Sequence, residues 1–213
     1  MHRTLQPELL DSLPPDHPDA LHNRRDLRLI NHLMGNYRWF ERMLPPLLRA
    51  GDRVLEIGAG TGELGLRLTR QGASVAGLDL WPRPEDWPPG SPWHRADLRH
   101  FDGYPEYGVV LGNLILHQFS TTELRELGSK LRASRVILAS EPHRHRIWQI
   151  LYRAVAPVLG ANHVSRHDGH VSIAAGFRRD ELPASLGLDP AEWRIRSTRT
   201  LLGACRMVAI RGA

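Results

Sequence analysis

The residues best placed to do chemistry lie in one stretch, Val54-Leu55-Glu56-Ile57-Gly58-Ala59-Gly60-Thr61-Gly62. An apolar run ends near a carboxylate and passes into a turn with glycine at every second position. Glycines let a backbone take tight dihedrals and approach a ligand closely, and the carboxyl end of such a strand is where open α/β sheets bind ligands. Two further acids, Asp79 and Asp97, close the next two short apolar runs. Each offers two acceptor oxygens, the complement of a ribose diol or an amino group. Histidines come later: His117 after the fourth run, His143 and His145 after the fifth, and His163, His167 and His170 close together beside Asp168. An imidazole titrates near neutrality, so any of these could take a proton from a nucleophile.

Two nucleotide chemistries compete for the glycine turn. Gly60-x-Gly62-x-x-Gly65 satisfies the dinucleotide pattern, and Asp79 follows at about 20 residues, where a ribose-binding acid belongs. Against NAD, Gly58 adds a glycine ahead of that pattern, and Asp97 adds a third acid. Glu56 also sets a carboxylate beside the place of a pyrophosphate, which repels it. A nucleoside whose other end is cationic meets no such repulsion.

The run EIGAGTG, followed by LD at the end of the second strand and AD at the third, resembles class I S-adenosylmethionine-dependent methyltransferases over residues 50–140. The resemblance implies that Glu56 contacts the methionine amino group, through water or a backbone group, while Gly58, Ala59, Gly60, Thr61 and Gly62 wrap the methionyl part. It places Asp79 on the ribose hydroxyls and Asp97 on the adenine amino group with Leu98 beside it. Leu80 and Trp81 would flank the adenine, and Asn113 closes the cofactor site from the fourth strand. S-adenosyl-L-homocysteine would be the product.

The acceptor is read from the second half of the chain. Asn113-Leu114-Ile115-Leu116-His117-Gln118-Phe119 lacks the proline box of nucleic-acid amino-methyltransferases. It resembles the NxxLHHF stretch of ubiquinone- and menaquinone-type enzymes, with Gln118 where a second histidine is common. Cys205 lies too far along the chain for the thiol chemistry of 5-methylcytosine enzymes. Residues 24–37 and 141–182 are similar to methyltransferases encoded beside type III polyketide synthases. Together these imply a small aromatic, polyketide or quinone-like acceptor methylated at a hydroxyl oxygen, with an activated carbon as the alternative that the sequence does not separate. A phenol ionises near pH 10, so a base is expected, with His117, His167 and His143 as candidates. Asp168 is expected to hold backbone rather than relay with its neighbour His167. His163, His167 and His170 would make a zinc site only on a defined scaffold; Asn113, Leu114 and Ile115 stand where metal-dependent catechol enzymes carry acids, so no metal is expected.

The elements that must position these residues follow from periodicity. Residues 1–20 carry prolines and acids without a repeat and read as a loose leader. Residues 21–48 read as an amphipathic helix or helix pair, interrupted near Gly35 and stopped by Pro45-Pro46. Strands are expected at 53–57, 74–80, just before Asp97, at 107–112 and at 135–139, with helices at 62–71 and 121–131. Prolines deny residues 81–92 a helix. A helix is expected over 142–160, with Ile147, Ile150, Leu151, Ala154 and Val158 on one face, and a loop over 161–177. A short helix at 179–186 and an antiparallel strand pair at 193–200 and 202–211 complete the chain. The expectation is an α/β, Rossmann-like class I methyltransferase fold, with a mainly parallel seven-stranded sheet ending in an antiparallel hairpin. Residues 1–48 would form a leader and helical arm, and 49–213 the cofactor-binding domain with a lid insertion at about 142–177.

Composition sets outer bounds. Hydrophobic residues make up 41% of the 213, enough for a buried core. The net charge of +5 keeps a polyanionic partner, and so an RNA methyltransferase, as the alternative reading besides an NAD-binding oxidoreductase. The arginines are scattered, however, which makes nucleic acid the poorer partner and suggests a mild bias toward anionic or phenolic ligands. One cysteine excludes an internal disulfide, and no run approaches the roughly 18 apolar residues of a membrane span, so a cytoplasmic protein is expected. Oligomeric state is not legible.

Overall fold

The computed structural model describes residues 1–212. Their strands form one sheet: β1 (Val54–Ile57), β2 (Val75–Asp79), β3 (Trp93–Arg95), β4 (Val109–Asn113), β5 (Val136–Pro142), β6 (Trp193–Arg199) and β7 (Ala204–Arg211). The order is β3-β2-β1-β4-β5-β7-β6. The first five strands are parallel, and β7 runs antiparallel to both β5 and β6. Strand order reverses between β1 and β4, the switch point outside which open α/β sheets bind ligands.

Helices cover both faces, which is why β1 is buried at every position. Because side chains alternate, Leu55 and Ile57 join one core with Val110, Ile137 and Met207, against Leu124, Leu127 and Leu131 of α4 (Thr121–Leu131). Val54 joins the other with Val109, Leu111 and Leu138, against Phe40 of α2 (Asn36–Met43) and Leu64 and Leu68 of α3 (Glu63–Arg70). Helix α4 starts where Ser120 and Glu123 close a reciprocal capping box.

The proline-rich crossover after β2 forms no helix, as expected, and drives Trp87 into the space a helix would cover. Trp87 is buried, and a Cβ at Gly62 or Gly65 would collide with its indole. The last glycine of the dinucleotide-like pattern therefore seats a side chain of this protein.

Three regions depart from the expected layout. Residues read as a loop form α6 (His163–Ala175), capped by Asn162, whose side chain accepts from the Ser165 amide at 2.9 Å. Its buried face is Val164, Ser165, Asp168, Val171 and Ala175; two polar members hid the helical period. In α5 (Arg146–Val158) the expected apolar face stays largely uncovered, with Ile150 66% and Val158 84% exposed, and only Ala156 is buried. The leader is docked. Arg3 donates to the carbonyls of Ala175, His117 and Phe119, and the Leu9 and Leu10 amides donate to Asp168 at 2.7 and 3.1 Å. Such a segment leaves no hydrophobic period to read, because it is held through polar groups. Helix α1 (Pro18–Leu33) follows it and meets α2 at Gly35, in the left-handed region.

Candidate active site

A cavity of about 700 Å³ opens at the carboxyl ends of β1, β2 and β4, within the usual range for small-molecule sites. The glycine turn forms its floor: Glu56, Gly58, Ala59, Gly60 and Thr61 line it, with Asp79, Leu80 and Trp81 from β2 and Asp97 and Leu98 after β3. Asn113 and Leu114 enter from β4, and α1, α5, α6 and the leader form the other walls. Gly62 is absent from the lining because it faces Trp87. Gly58 is required twice, since its φ is 62° and a Cβ would strike Ile115. Leu114 takes φ 57°, a strained value for a bulky side chain, where the chain leaves β4 for the cavity.

Two acceptors near the turn are buried and unpartnered among the described residues: Glu56 Oε2 and Asn113 Oδ1. Burial pushes the Glu56 carboxyl up to about 8, offset by the Gly65 amide and reinforced by Asp79. Asn113 Nδ2 donates to Asn31 Oδ1 of α1 at 3.0 Å, and Asn36 Nδ2 donates to the same oxygen at 2.9 Å. Asn36 Oδ1 in turn accepts from Ser140 Oγ of β5 at 2.9 Å. Sequence reading assigned no role to Asn31 or Asn36, although their side chains aim Asn113.

Asp79 accepts from the Gly60 amide at 2.7 Å and from the Trp81 amide at 2.9 Å. Burial raises its pKa against those amides and the Arg24 charge. It thus ties the glycine turn to β2 while lining the cavity. The Arg24 guanidinium lies over the Trp81 ring at 3.6 Å. Asp97 is engaged by Arg99, whose Nη2 donates at 2.6 Å while Nη1 reaches Glu123 at 2.8 Å. Arg99 holds the Asp97 carboxyl below its ordinary value.

The three candidate bases separate. His117 is buried on the turn after β4 and lines the cavity. Its Nδ1 lies 2.7 Å from Glu141 Oε2 and its Nε2 3.3 Å from Glu8 Oε1. Burial alone would lower its pKa, but hydrogen bonds and charge from Glu141 and Glu8 outweigh it and hold the imidazole up to about 9. Both ring nitrogens thus face a carboxylate, an arrangement that favours the charged imidazole. His167 is exposed on α6, its Nε2 3.4 Å from the Pro7 carbonyl, because the inward position belongs to its neighbour Asp168. His143 turns away from the cavity, accepts at Nδ1 from Trp148 Nε1 at 3.2 Å, and borders a shallow cleft with Arg178 and Arg199.

Glu141 was legible only as a residue beside Pro142. It is fully buried because β5 runs three residues past the expected end, and it accepts from the Ile115, Leu116 and His117 amides. Arg144 Nη2 donates to Glu181 at 2.6 and 2.8 Å. Trp148 and Tyr152 line the cavity, whereas Trp39 packs on Phe40. Carboxylates outnumber guanidiniums in the lining, where the arginines are Arg24, Arg28 and Arg99. Most of the net positive charge therefore lies outside the cavity. Among the described residues no group of three or more His, Cys, Asp or Glu could hold a metal, and no helix is long and apolar enough to cross a membrane.

This topology is the Rossmann-like methyltransferase fold, a parallel sheet closed by an antiparallel C-terminal hairpin. It is similar to the plantazolicin methyltransferase BpumL in complex with a triazolic desmethylPZN analog and SAH, at TM-score 0.71 and 10% identity over 96% of this chain and 93% of that one. Human N-acetylserotonin methyltransferase in complex with SAM matches at TM-score 0.59 and 12% identity, over 95% of this chain and 61% of that one. A structure concerned with conversion of a disulfide bond into a thioacetal group during echinomycin biosynthesis matches at 0.57 and 19%, over 83% and 81%. At such identities the likeness is one of fold. No family model and no curated protein matches the chain in sequence.

Proposed function

We propose that this chain is an S-adenosyl-L-methionine-dependent methyltransferase acting on a small aromatic, polyketide- or quinone-like acceptor at a hydroxyl oxygen. The observation that carries the cofactor is the pair of unpartnered buried acceptors, Glu56 Oε2 and Asn113 Oδ1, beside a glycine turn. Leaving such atoms unpaired costs about 1–3 kcal/mol each, so a ligand bearing an ammonium group is strongly favoured there. In this reading Glu56 and Asn113 hold the amino-acid end, Gly58–Thr61 wrap it, and Asp79 receives the ribose. Asp97 and Leu98 lie at the adenine, with Leu80 and Trp81 on its faces. When bound, S-adenosylmethionine supplies a methyl group on an already electrophilic sulfur, so the protein chiefly aligns the partners and excludes water. The solved structures of similar fold that carry SAH or SAM support the same reading.

The apolar mouth formed by Trp148, Leu151, Tyr152 and Val155 suits an aromatic acceptor. His117 serves that acceptor as a charged donor to an oxygen, oriented by Glu141, rather than as a free base. The arm and the helices at 142–177 act as the lid. An RNA phosphate backbone would meet the carboxylate-rich lining, and a dinucleotide pyrophosphate would face Glu56. Turnover with labelled cofactor on a panel of phenols, resorcinols and quinols is the test. Transfer to these and not to bulk RNA is expected; transfer to RNA alone would overturn the acceptor assignment.

A further inference from the structure

We propose that His117 Nε2–H, the Gln118 side-chain amide and the Ser172 hydroxyl form a subsite for a phenolate oxygen of the acceptor, which Glu8 occupies until the acceptor arrives. This rests on the reading that the acceptor is a hydroxylated aromatic. Three donors from two elements converge on the one carboxylate: Ser172 Oγ at 2.5 Å and His117 Nε2 at 3.3 Å from Oε1, and Gln118 Nε2 at 3.0 Å from Oε2. All four residues line the cavity. The far side of the imidazole is fixed, since Glu141 takes Nδ1 and the turn's amides, so Nε2 is the hydrogen-bonding atom left for a ligand. Hydrogen bonds to an ionised oxygen are about twice as strong as neutral ones, which favours a phenolate here over a neutral phenol.

Glu8 can be exchanged because little apolar surface holds it. The leader's short 3₁₀ turn, Leu10–Ser12, buries no residue, and Leu5 and Leu9 are 41% and 37% exposed. Its anchors are hydrogen bonds from Arg3 and to Asp168, none of which involves the Glu8 carboxylate, so turning that side chain aside leaves them in place. Such sparsely packed segments open at low free energy. Nor does the exchange strand Ser172, whose single hydroxyl proton can turn to the Asp168 carbonyl at 2.6 Å until the phenolate accepts it. Binding of the phenolate from a solution of the phenol releases one proton to solvent and replaces one anion by another, so the charge around His117 is kept.

The test is a titration of 4-nitrophenol into the full chain, with and without S-adenosylhomocysteine, at a pH where the free phenol is protonated. The bound phenolate is read by its visible absorbance. Glu8→Ala is expected to tighten binding roughly tenfold or more and leave S-adenosylhomocysteine affinity unchanged by calorimetry. Equal or weaker phenolate binding by Glu8→Ala would overturn the subsite. Adding Ser172→Ala or Gln118→Leu to that variant should give back the gain, and full retention in both would overturn it too. Benzoate offers the same anionic oxygen from a carboxylate; tighter binding of benzoate than of nitrophenolate would overturn the phenolate assignment. Because the titration also runs without cofactor analogue, failure of the subsite is read separately from failure of the cofactor reading.

Discussion

The two halves of the cavity treat their polar groups in opposite ways. On the glycine-turn side, Glu56 Oε2 and Asn113 Oδ1 are buried with no protein partner. Under the leader and α6 the charged groups are paired within the protein, although Asn23 Oδ1 and His170 Nδ1 have no partner among the described residues: Glu8 and Glu141 flank His117, Leu9 and Leu10 satisfy Asp168, and Ser165 donates to Asp26 at 2.7 Å. One half is built with open valences and gives up stability for affinity. The other is closed on itself and must exchange a contact to bind. Substitutions on the first side should therefore move cofactor affinity, and those that break the buried His117–Glu141 pair on the second side should move fold stability.

The largest effect expected is at His117. His117→Ala leaves fully buried Glu141 without its cationic partner, and breaking such a pair costs about 3–5 kcal/mol. Denaturant unfolding should show that loss while S-adenosylhomocysteine affinity, in whatever fraction remains folded, stays within a few fold. A large loss of affinity with unchanged stability would reverse the comparison.

Next comes Glu56→Gln, which removes a charged acceptor worth about 1.5–3 kcal/mol, or about 10–100-fold in affinity. The unliganded variant should be no less stable than the parent, because the buried carboxylate gains nothing from folding until a ligand pairs it. Calorimetry and thermal unfolding of one preparation check both parts.

Dependence on pH separates the halves further. A carboxyl raised to about 8 in the folded state binds its proton more tightly there than when unfolded. Glu56 therefore makes stability fall as pH rises from about 4.5 through about 8. The His117 contribution is fully present below about 6.5 and is lost as pH rises through about 9. Saturating S-adenosylhomocysteine should flatten the lower window and leave the upper one, as read by denaturant midpoints across pH.

The smallest effect is expected at Arg99, 43% exposed in its side chain and paired with Asp97 and Glu123. Arg99→Ala should change stability by less than about 1 kcal/mol. Affinity for the cofactor analogue should hold or rise slightly, since Asp97 is then free; a fall beyond a few fold would mean that Arg99 itself contacts the ligand.

The same contrast decides what could be read beforehand. The glycine-turn half was legible because its parts are local: EIGAGTG, then an acid at the end of each following strand, with apolar periods marking the sheet between. The lid half was not. Helix α6 hid behind Ser165 and Asp168 on its buried face, and the leader behind anchoring contacts made by Arg3 and by backbone amides. Glu141 and His117 were each visible as types. Their pairing, however, depends on β5 and the turn after β4 ending side by side, which no local pattern encodes. The neighbours His167 and Asp168 differ for the same reason, because the helical phase of α6, absent from a loop reading, puts Asp168 inside and the imidazole in solvent.

The central claim is that Glu56 waits for a cationic amino group. Calorimetric titration with S-adenosylhomocysteine at neutral pH, repeated in buffers of different ionisation enthalpy, tests it most directly. Binding should release a proton from the wild type, because pairing with the ligand ammonium ionises a carboxyl now held near 8, and that release should vanish in Glu56→Gln. Binding of NAD in its place, or binding of S-adenosylhomocysteine with the same proton count in both proteins, would contradict the account.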